Sequence, residues 1–181
     1  MAAAQELPLA RSQYGFHRTK CPCAYCAAPC QHIPGSLDVA DLARLCPPNQ
    51  DLFTWAEQHL RAVTEKPFPT LVPARQFNGH CHWFFVGKCL VHKNAPYSCA
   101  FFDSHMTDEE VSRRSTATIQ ARREDAARNG LYYRVWLHLC RKGLVSRSGD
   151  RLALAQEVSR IQRNAERSAR RMEITVSEPE A

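Results

Sequence analysis

The sequence predicts a small single domain that is mostly α-helical, with irregular cysteine-bearing loops and a short β-hairpin. Three observations lead to this fold class. The chain of 181 residues is long enough for one hydrophobic core, and its apolar fraction of 44% is ordinary for a folded protein. Several segments have apolar side chains at helical spacing. Most of the nine cysteines fall in two stretches without regular periodicity.

The N-terminal half begins with two segments that lack helical periodicity. Residues 1–16 are predicted to form a flexible, loosely ordered arm. The cysteine region, residues 17–105, opens with a loop that holds four cysteines and three prolines. Ser36 or Asp38 can then cap a short helix through VADLARLC, which the two following prolines end.

A second helix is predicted from Asp51 to about Thr64, because apolar side chains recur along one side of it. The segment KPFPTLVP contains three prolines and cannot be helical. WFFVGKCLVH is predicted as two short strands that turn at Gly87–Lys88. The apolar stripe of the second helix consists of Leu52, Ala56, Leu60 and Val63.

The C-terminal region, residues 106–172, is predicted to be helical. Thr107 and Glu110 form a capping box, in which the side chain of each residue satisfies a backbone N–H of the other. The helix that they open runs to about Asn129, where Gly130 supplies the C-cap.

Two further helices are predicted in this region. LYYRVWLHLC has aromatic and apolar side chains at helical spacing, which favours packing in the core over a platform for stacking bases. The last helix covers roughly residues 151–172, and residues 173–181 form an acidic tail. The side chains assigned to the core are Tyr132, Tyr133, Trp136 and Leu137.

The net charge of +6 is concentrated in the C-terminal third. From Met106 to Met172 there are 15 lysines and arginines against 8 acidic residues. Such asymmetry is compatible with nucleic acid as a partner, but glutamates interrupt the basic strip, which favours a solvated helix face. The strip consists of Arg163, Arg167, Arg170 and Arg171.

The cysteines favour metal binding over disulfides. The N-terminal sequence has no basic segment followed by an apolar run, and nowhere are eighteen apolar residues consecutive, so neither a secretory signal nor a membrane span is predicted. We therefore expect a cytoplasmic protein without a membrane partner, in a compartment where thiols stay reduced. An odd number of cysteines also leaves one unpaired in any scheme of disulfides.

Seven cysteines in two clusters are predicted to ligate metal. In the first cluster, C-x-C-x2-C-x3-C, Cys23 and Cys26 have the spacing with which two thiolates bind one ion. Cys21 and Cys23 would stand about 7 Å apart in extended backbone, which suits a multi-metal cluster or two neighbouring sites. The two clusters must meet in the fold. The predicted ligands are Cys21, Cys23, Cys26, Cys30, Cys81, Cys89 and Cys99.

The sequence does not decide whether the metal is iron or zinc. Seven thiols exceed the four that one tetrahedral zinc uses, and two zinc ions would need a histidine as eighth ligand. A four-iron cluster takes four thiolates and leaves others for a second metal, so the surplus slightly favours an iron–sulfur cluster or iron. If WFFVGKCLVH binds the metal, it could fold as a tight metal-binding loop, a knuckle, instead of a hairpin. The candidate histidines, which also fit exposed loops, are His32, His80, His82 and His92.

The other two cysteines are predicted to have a different role. Cys46 and Cys140 each end an apolar helix. Cysteine outside a metal site is a common small core residue, so both are predicted to pack in the core.

The stretch GHCHWFFVGKCLVHKNAPYSCAFF resembles the C-terminal motif of the YkgJ-like, or CxxxCxxCC, cysteine-cluster family. The N-terminal cluster followed by PGSLDVADLARL also resembles that family, although this chain has no adjacent Cys-Cys pair. The similarity covers roughly residues 20–103 and implies a zinc- or iron-chelating domain. The positions that match the C-terminal motif are Cys81, Phe84, Phe85, Gly87, Cys89, Val91, Pro96 and Cys99.

Three functions are compatible with this pattern. The first is a metal-cluster protein with a redox, sensing or structural role. The second is an iron-dependent enzyme that modifies a protein or a small substrate, and the third is a zinc-stabilised module that binds nucleic acid. The chain has no phosphate-binding glycine loop, G-x-S-x-G or H-E-x-x-H motif, so whether it is an enzyme stays open. A protein partner is also compatible, and the sequence does not decide the oligomeric state.

Overall fold

The computed structural model describes residues 10–19, 26, 32, 33, 35–146, 160, 163 and 167. Several sequence predictions fall outside these residues: those for Cys21, Cys23 and Cys30, for the acidic tail, and for most of the last helix. Arg160, Arg163 and Arg167 are helical and exposed.

The described residues form a mixed α/β fold, which corrects the prediction of a mostly helical domain. The helices are α1 (Asp41–Leu45), α2 (Leu52–His59), α3 (Tyr97–Ala100), α4 (Asp108–Ala127) and α5 (Leu131–Arg141), with a 3-10 helix at His92–Asn94. The strands are β1 (Leu60–Val63), β2 (Thr70–Pro73), β3 (Phe84–Phe85), β4 (Lys88–Cys89) and β5 (Val145–Ser146).

A three-stranded sheet lies where the sequence predicted the end of a helix. Asp51 caps α2 as expected, since its side chain accepts a hydrogen bond from the Thr54 N–H at 2.9 Å. The helix nevertheless ends at His59, and the chain continues directly into β1. β1 pairs antiparallel with β2 and parallel with β5, giving the order β2-β1-β5. Every β1 side chain except Arg61 is buried, so burial between two neighbouring strands outweighs the helical spacing of its apolar residues.

The prediction that KPFPTLVP is not helical is confirmed. Its second half forms β2, which lies at an edge of the sheet. Proline is tolerated in an edge strand, where its missing N–H need not join a ladder.

β3 and β4 form the predicted hairpin. Phe84 pairs with Cys89 and Phe85 pairs with Lys88. The turn consists of Val86 and Gly87, one residue earlier than expected. Their φ angles are 46° and 74°, and positive values at both central residues are what a type I′ turn requires.

The predicted start of α4 is confirmed, and its end differs in detail. The Thr107 side chain accepts a hydrogen bond from the Glu110 N–H at 3.2 Å. At the other end, Asn129 has the left-handed backbone (φ 52°), a conformation that asparagine tolerates better than most residues. Gly130 is instead the N-cap of α5. α5 ends at Arg141. Two residues later, Gly143 has a left-handed backbone with φ 70°.

One hydrophobic core joins the cysteine region to the C-terminal helices, as the single-domain prediction requires. Trp136, Cys46 and Cys140 are partly buried and pack against it, as predicted, whereas Tyr133 and Leu137, also assigned to the core, are half-buried outside it. A smaller cluster contains Ala95, Tyr97, Ala100 and Phe101. The buried residues of the main core are Leu37, Leu42, Trp55, Ala56, Leu60, Ala62, Leu71, Cys81, Trp83, Tyr132, Val135 and Leu139.

Residues 10–16, predicted as part of a loosely ordered arm, pack on the fold. Arg11 forms an isolated β-bridge with His17. The ring of Tyr14 lies edge-on against Tyr97 with 5.6 Å between centroids, and its hydroxyl bonds to the buried carboxylate of Asp38. Across the part of the chain that the structure describes, none of the helices combines the length and the apolar character needed to cross a membrane.

Candidate metal centre

Cys99 lies on α3, directly beside the segment that follows the first cysteine cluster. Its sulfur accepts a hydrogen bond from the Gly35 N–H at 3.1 Å. The Ser98 N–H donates to the Ser36 carbonyl at 3.1 Å, and the two serine hydroxyls are 2.9 Å apart. A Cβ at Gly35 would lie only 2.7 Å from backbone atoms of Ser98 and Cys99. This close approach therefore requires glycine.

The segment that precedes the first cluster is also attached to α3. The Thr19 N–H donates to the Ala100 carbonyl at 3.0 Å. Thr19 lies two residues before Cys21, and Gly35 lies five residues after Cys30. The described residues that flank the first cluster, Thr19 and Gly35, are thus both hydrogen-bonded to the short helix that carries the last predicted ligand.

The three cysteines of the second cluster occupy different surroundings. Cys81 is 5% exposed and belongs to the main core beside Trp83. Cys89 lies on β4 and is half-buried against the same core, whereas Cys99 packs against the smaller cluster. Cys26, of the first cluster, is half-buried and helical.

These four thiols do not make a metal site by themselves. Among the described residues, no group of three or more Cys, His, Asp or Glu side chains is arranged to hold a metal ion. A centre built on the predicted ligands therefore needs thiols from Cys21, Cys23 and Cys30, which lie outside the described residues.

Two of the candidate histidines, His32 and His80, lie against each other. The rings of His32 and His80 are 5.1 Å apart in an edge-to-face arrangement. His32 follows Cys30 by two residues, and His80 directly precedes Cys81. The residue two positions after the first cluster therefore contacts the residue directly before the second. His92 lies in the 3-10 helix and is exposed.

Next to Cys81, His82, already a candidate ligand, contacts His59, which sequence reasoning missed. His82 Nε2 and His59 Nδ1 are 2.8 Å apart. Burial lowers the pKa of both imidazoles, and a neighbouring positive charge lowers each further, from His82 on His59 and from Arg61 on His82. One neutral ring can then donate to the other. His59 is missed because α2 was expected to continue past it, and no local pattern connects it to His82.

A buried polar network fixes the loop that carries Gly35. Asp38 is 2% exposed and, instead of capping α1, accepts hydrogen bonds from Tyr14 (2.9 Å) and from Thr118 on α4 (2.8 Å). Arg122 of α4 donates to the Ser36 hydroxyl at 2.9 Å. Ser36 does not cap α1 either, since the N-cap position is occupied by Ala40 without a side-chain bond. The polar side chains near PGSLD therefore hold the loop in place.

α1 and α3 are joined by a second buried carboxylate. Asp41 is 2% exposed and accepts hydrogen bonds from the backbone N–H of Tyr97 at 2.6 Å and of Asp38 at 2.8 Å. It also pairs with Arg44. Because a buried charge is stable only when it is paired and hydrogen-bonded, these contacts determine the position of the start of α3.

Comparison of the chain with protein-family models, with curated proteins and with solved structures found no match. The similarity to the YkgJ-like family stays a prediction that rests on the spacing of the cysteines, glycine and proline between residues 81 and 99.

Proposed function

We propose that this chain is a metal-binding protein whose two cysteine clusters share one centre, with iron, as an iron–sulfur cluster or as ions, favoured over zinc. Its role would be electron transfer, redox sensing or structural organisation. One observation carries the proposal: Thr19 and Gly35, on either side of the first cluster, both bond to the helix of Cys99.

Covalent geometry limits how far the first-cluster thiols can lie from that helix. Extended backbone spans about 3.3–3.6 Å per residue. Cys21 is therefore within roughly 7 Å of Thr19, and Cys30 within roughly 18 Å of Gly35, measured between Cα atoms. The contact between His32 and His80 supports a position near Cys81 as well.

The chemistry of the donor set fits iron and zinc. Thiolates bind both metals, and the ligands would be Cys99, Cys81 and Cys89 together with the cysteines of the first cluster. The N–H···S bond from Gly35 to Cys99 favours the thiolate form, because a hydrogen bond to the charged form of a group stabilises that form. Hydrogen bonds to ligand sulfurs also tune the properties of a bound metal.

Metal analysis of protein purified without oxygen tests this proposal. We expect a stoichiometric metal content, with visible absorption if the metal is iron and none if it is zinc. Cys26→Ser and Cys99→Ser should each lower that content, because they remove predicted ligands. The matched control Cys46→Ser removes a thiol that packs on the core and bonds weakly to the Pro47 carbonyl, at 3.6 Å, and should leave the content unchanged. Full metal content in Cys99→Ser would contradict a shared centre.

A further inference from the structure

A pocket with a volume of about 330 Å³ opens between α2, α5 and the turn that joins α4 to α5. Such a volume lies at the lower end of the range for small-molecule sites, about 300–1,000 Å³. The pocket does not involve the predicted metal ligands. It is lined by Phe53, Asn129, Arg134, Leu137, His138 and Arg141.

Three cationic or titratable side chains lie on one face of α5. Arg134, His138 and Arg141 are spaced i, i+4 and i+7, which puts them in one row along the helix. Phe53 of α2 faces this row. Its ring lies edge-to-face with His138 at 5.2 Å between centroids, and the Arg134 guanidinium lies 5.9 Å from its centre.

The pocket lining contains no carboxylate. The nearby Glu57 carboxylate is already engaged, since it bonds His138 Nε2 at 2.6 Å and Lys142 Nζ at 3.4 Å. Among the described residues, Arg134 and Arg141 have no ion pair. Two guanidinium groups thus face the pocket without a protein anion between them.

We propose that this pocket binds a small phosphate monoester that carries a flat ring. A guanidinium group presents parallel N–H donors that match two phosphate oxygens, so Arg134 and Arg141 would hold the phosphate. Phe53 and Leu137, the two apolar side chains of the pocket lining, offer a surface for the ring. The amide of Asn129, on a turn residue with a left-handed backbone, adds a donor and an acceptor at the rim.

Titration of the full-length protein with phenyl phosphate, followed by calorimetry, tests this assignment. We expect saturable binding at about millimolar concentration or tighter, weaker binding of inorganic phosphate, and none of phenol. The double substitution of Arg134→Gln and Arg141→Gln should weaken the binding of phenyl phosphate at least tenfold. The control pair Arg113→Gln with Arg123→Gln removes the same charge from exposed positions of α4 outside the pocket and should change the affinity less than twofold.

Three results would overturn the proposal, and the third comes from Phe53→Leu. The first is the absence of saturable phenyl phosphate binding, and the second is equal weakening by both pairs of substitutions, which would mean that only the overall charge attracts the anion. Phe53→Leu tests the contact with the ring separately from the contact with the phosphate. It should weaken the binding of phenyl phosphate severalfold and leave the binding of inorganic phosphate unchanged. If Phe53→Leu lowered the affinity for both probes equally, Phe53 would not contact the ring, and the proposal would be overturned. All variants are first compared by thermal unfolding, and the single substitution Arg141→Gln serves if a pair does not fold.

Discussion

Gly35 sets the distance between the loop after the first cysteine cluster and α3. A methyl group there would overlap backbone atoms of Ser98 and Cys99, which cannot move aside as a side chain could. We expect Gly35→Ala to lower the free energy of unfolding by about 2 kcal/mol through this overlap. Under the proposed function it should also lower the metal content, because the Cys99 thiol would shift from the first cluster. Guanidinium unfolding and metal analysis measure the two effects.

Ser36→Ala provides the matched control for this prediction. It removes the hydrogen bonds to Ser98 and Arg122 without adding an overlap, so we expect a smaller loss of about 1 kcal/mol and unchanged metal content. If Gly35→Ala left both stability and metal content unchanged, the close approach of the two segments would have no structural role.

Cys140 is predicted to pack in the core, unlike the seven cysteines that are predicted to ligate metal. It is half-buried, packs on the main core from α5, and burial raises the pKa of its thiol, which disfavours the thiolate. We expect Cys140→Ala to keep its full metal content and to lose about 1 kcal/mol of stability. Loss of one metal equivalent would identify Cys140 as an additional ligand.

At the scale of single elements, local signals were reliable where the element depends on its own residues. Asp51 and Thr107 cap their helices as predicted, and the β3–β4 hairpin forms around a glycine. The end of α2 was predicted wrongly, because Leu60 and Val63 fit a helical stripe as well as a buried strand. Pairing with β2 and β5, which no local pattern reveals, decides between them.

The β3–β4 turn contains a residue that its conformation disfavours. Val86 has a left-handed backbone, which is costly for a β-branched side chain, and asparagine before glycine is the preferred pair in such turns. We expect Val86→Asn to stabilise the protein by about 1 kcal/mol, measured by thermal unfolding. Val86→Thr keeps the branched side chain while removing apolar surface, and it should give no gain. Equal stabilisation by both substitutions would show that exposure of the valine, not backbone strain, is the relevant cost.

At the scale of the whole molecule, residues 17–35 differ from the rest of the described fold in the apolar surface they have to bury. α5 contributes Tyr132, Val135 and Leu139 to the main core, and the Tyr132 hydroxyl donates to the Leu37 carbonyl at 3.0 Å. Residues 17–35 have few apolar side chains to bury, and their prolines oppose regular structure. Under the proposed function, metal binding would then supply folding free energy mainly to residues 17–35.

Under the proposed function, removal of the metal should therefore act selectively. After chelation under reducing conditions we expect the far-UV helical signal of α4 and α5 to persist, while protease cleavage appears first within residues 17–35. Cleavage within residues 76–103 should be slower, because Trp83 and Tyr97 stay buried in the two apolar clusters. Acidification should release the metal before the helices unfold, since thiolates must take up protons. Unchanged resistance of both segments in metal-free protein would show that metal does not stabilise this part of the fold.

Sequence alone determined the features that short stretches of chain encode. These include the caps of α2 and α4, the helix α5, and the hairpin at Gly87. Only the tertiary structure decided that β1, β2 and β5 form a sheet and that Asp38 is buried against α4. It also decided that His59 meets His82 and that Thr19 and Gly35, on either side of the first cluster, bond to α3. The physical reason is that capping and turn formation depend on neighbours within about four residues. Strand pairing and buried hydrogen bonds instead depend on residues that are distant in sequence and come together only when the core forms.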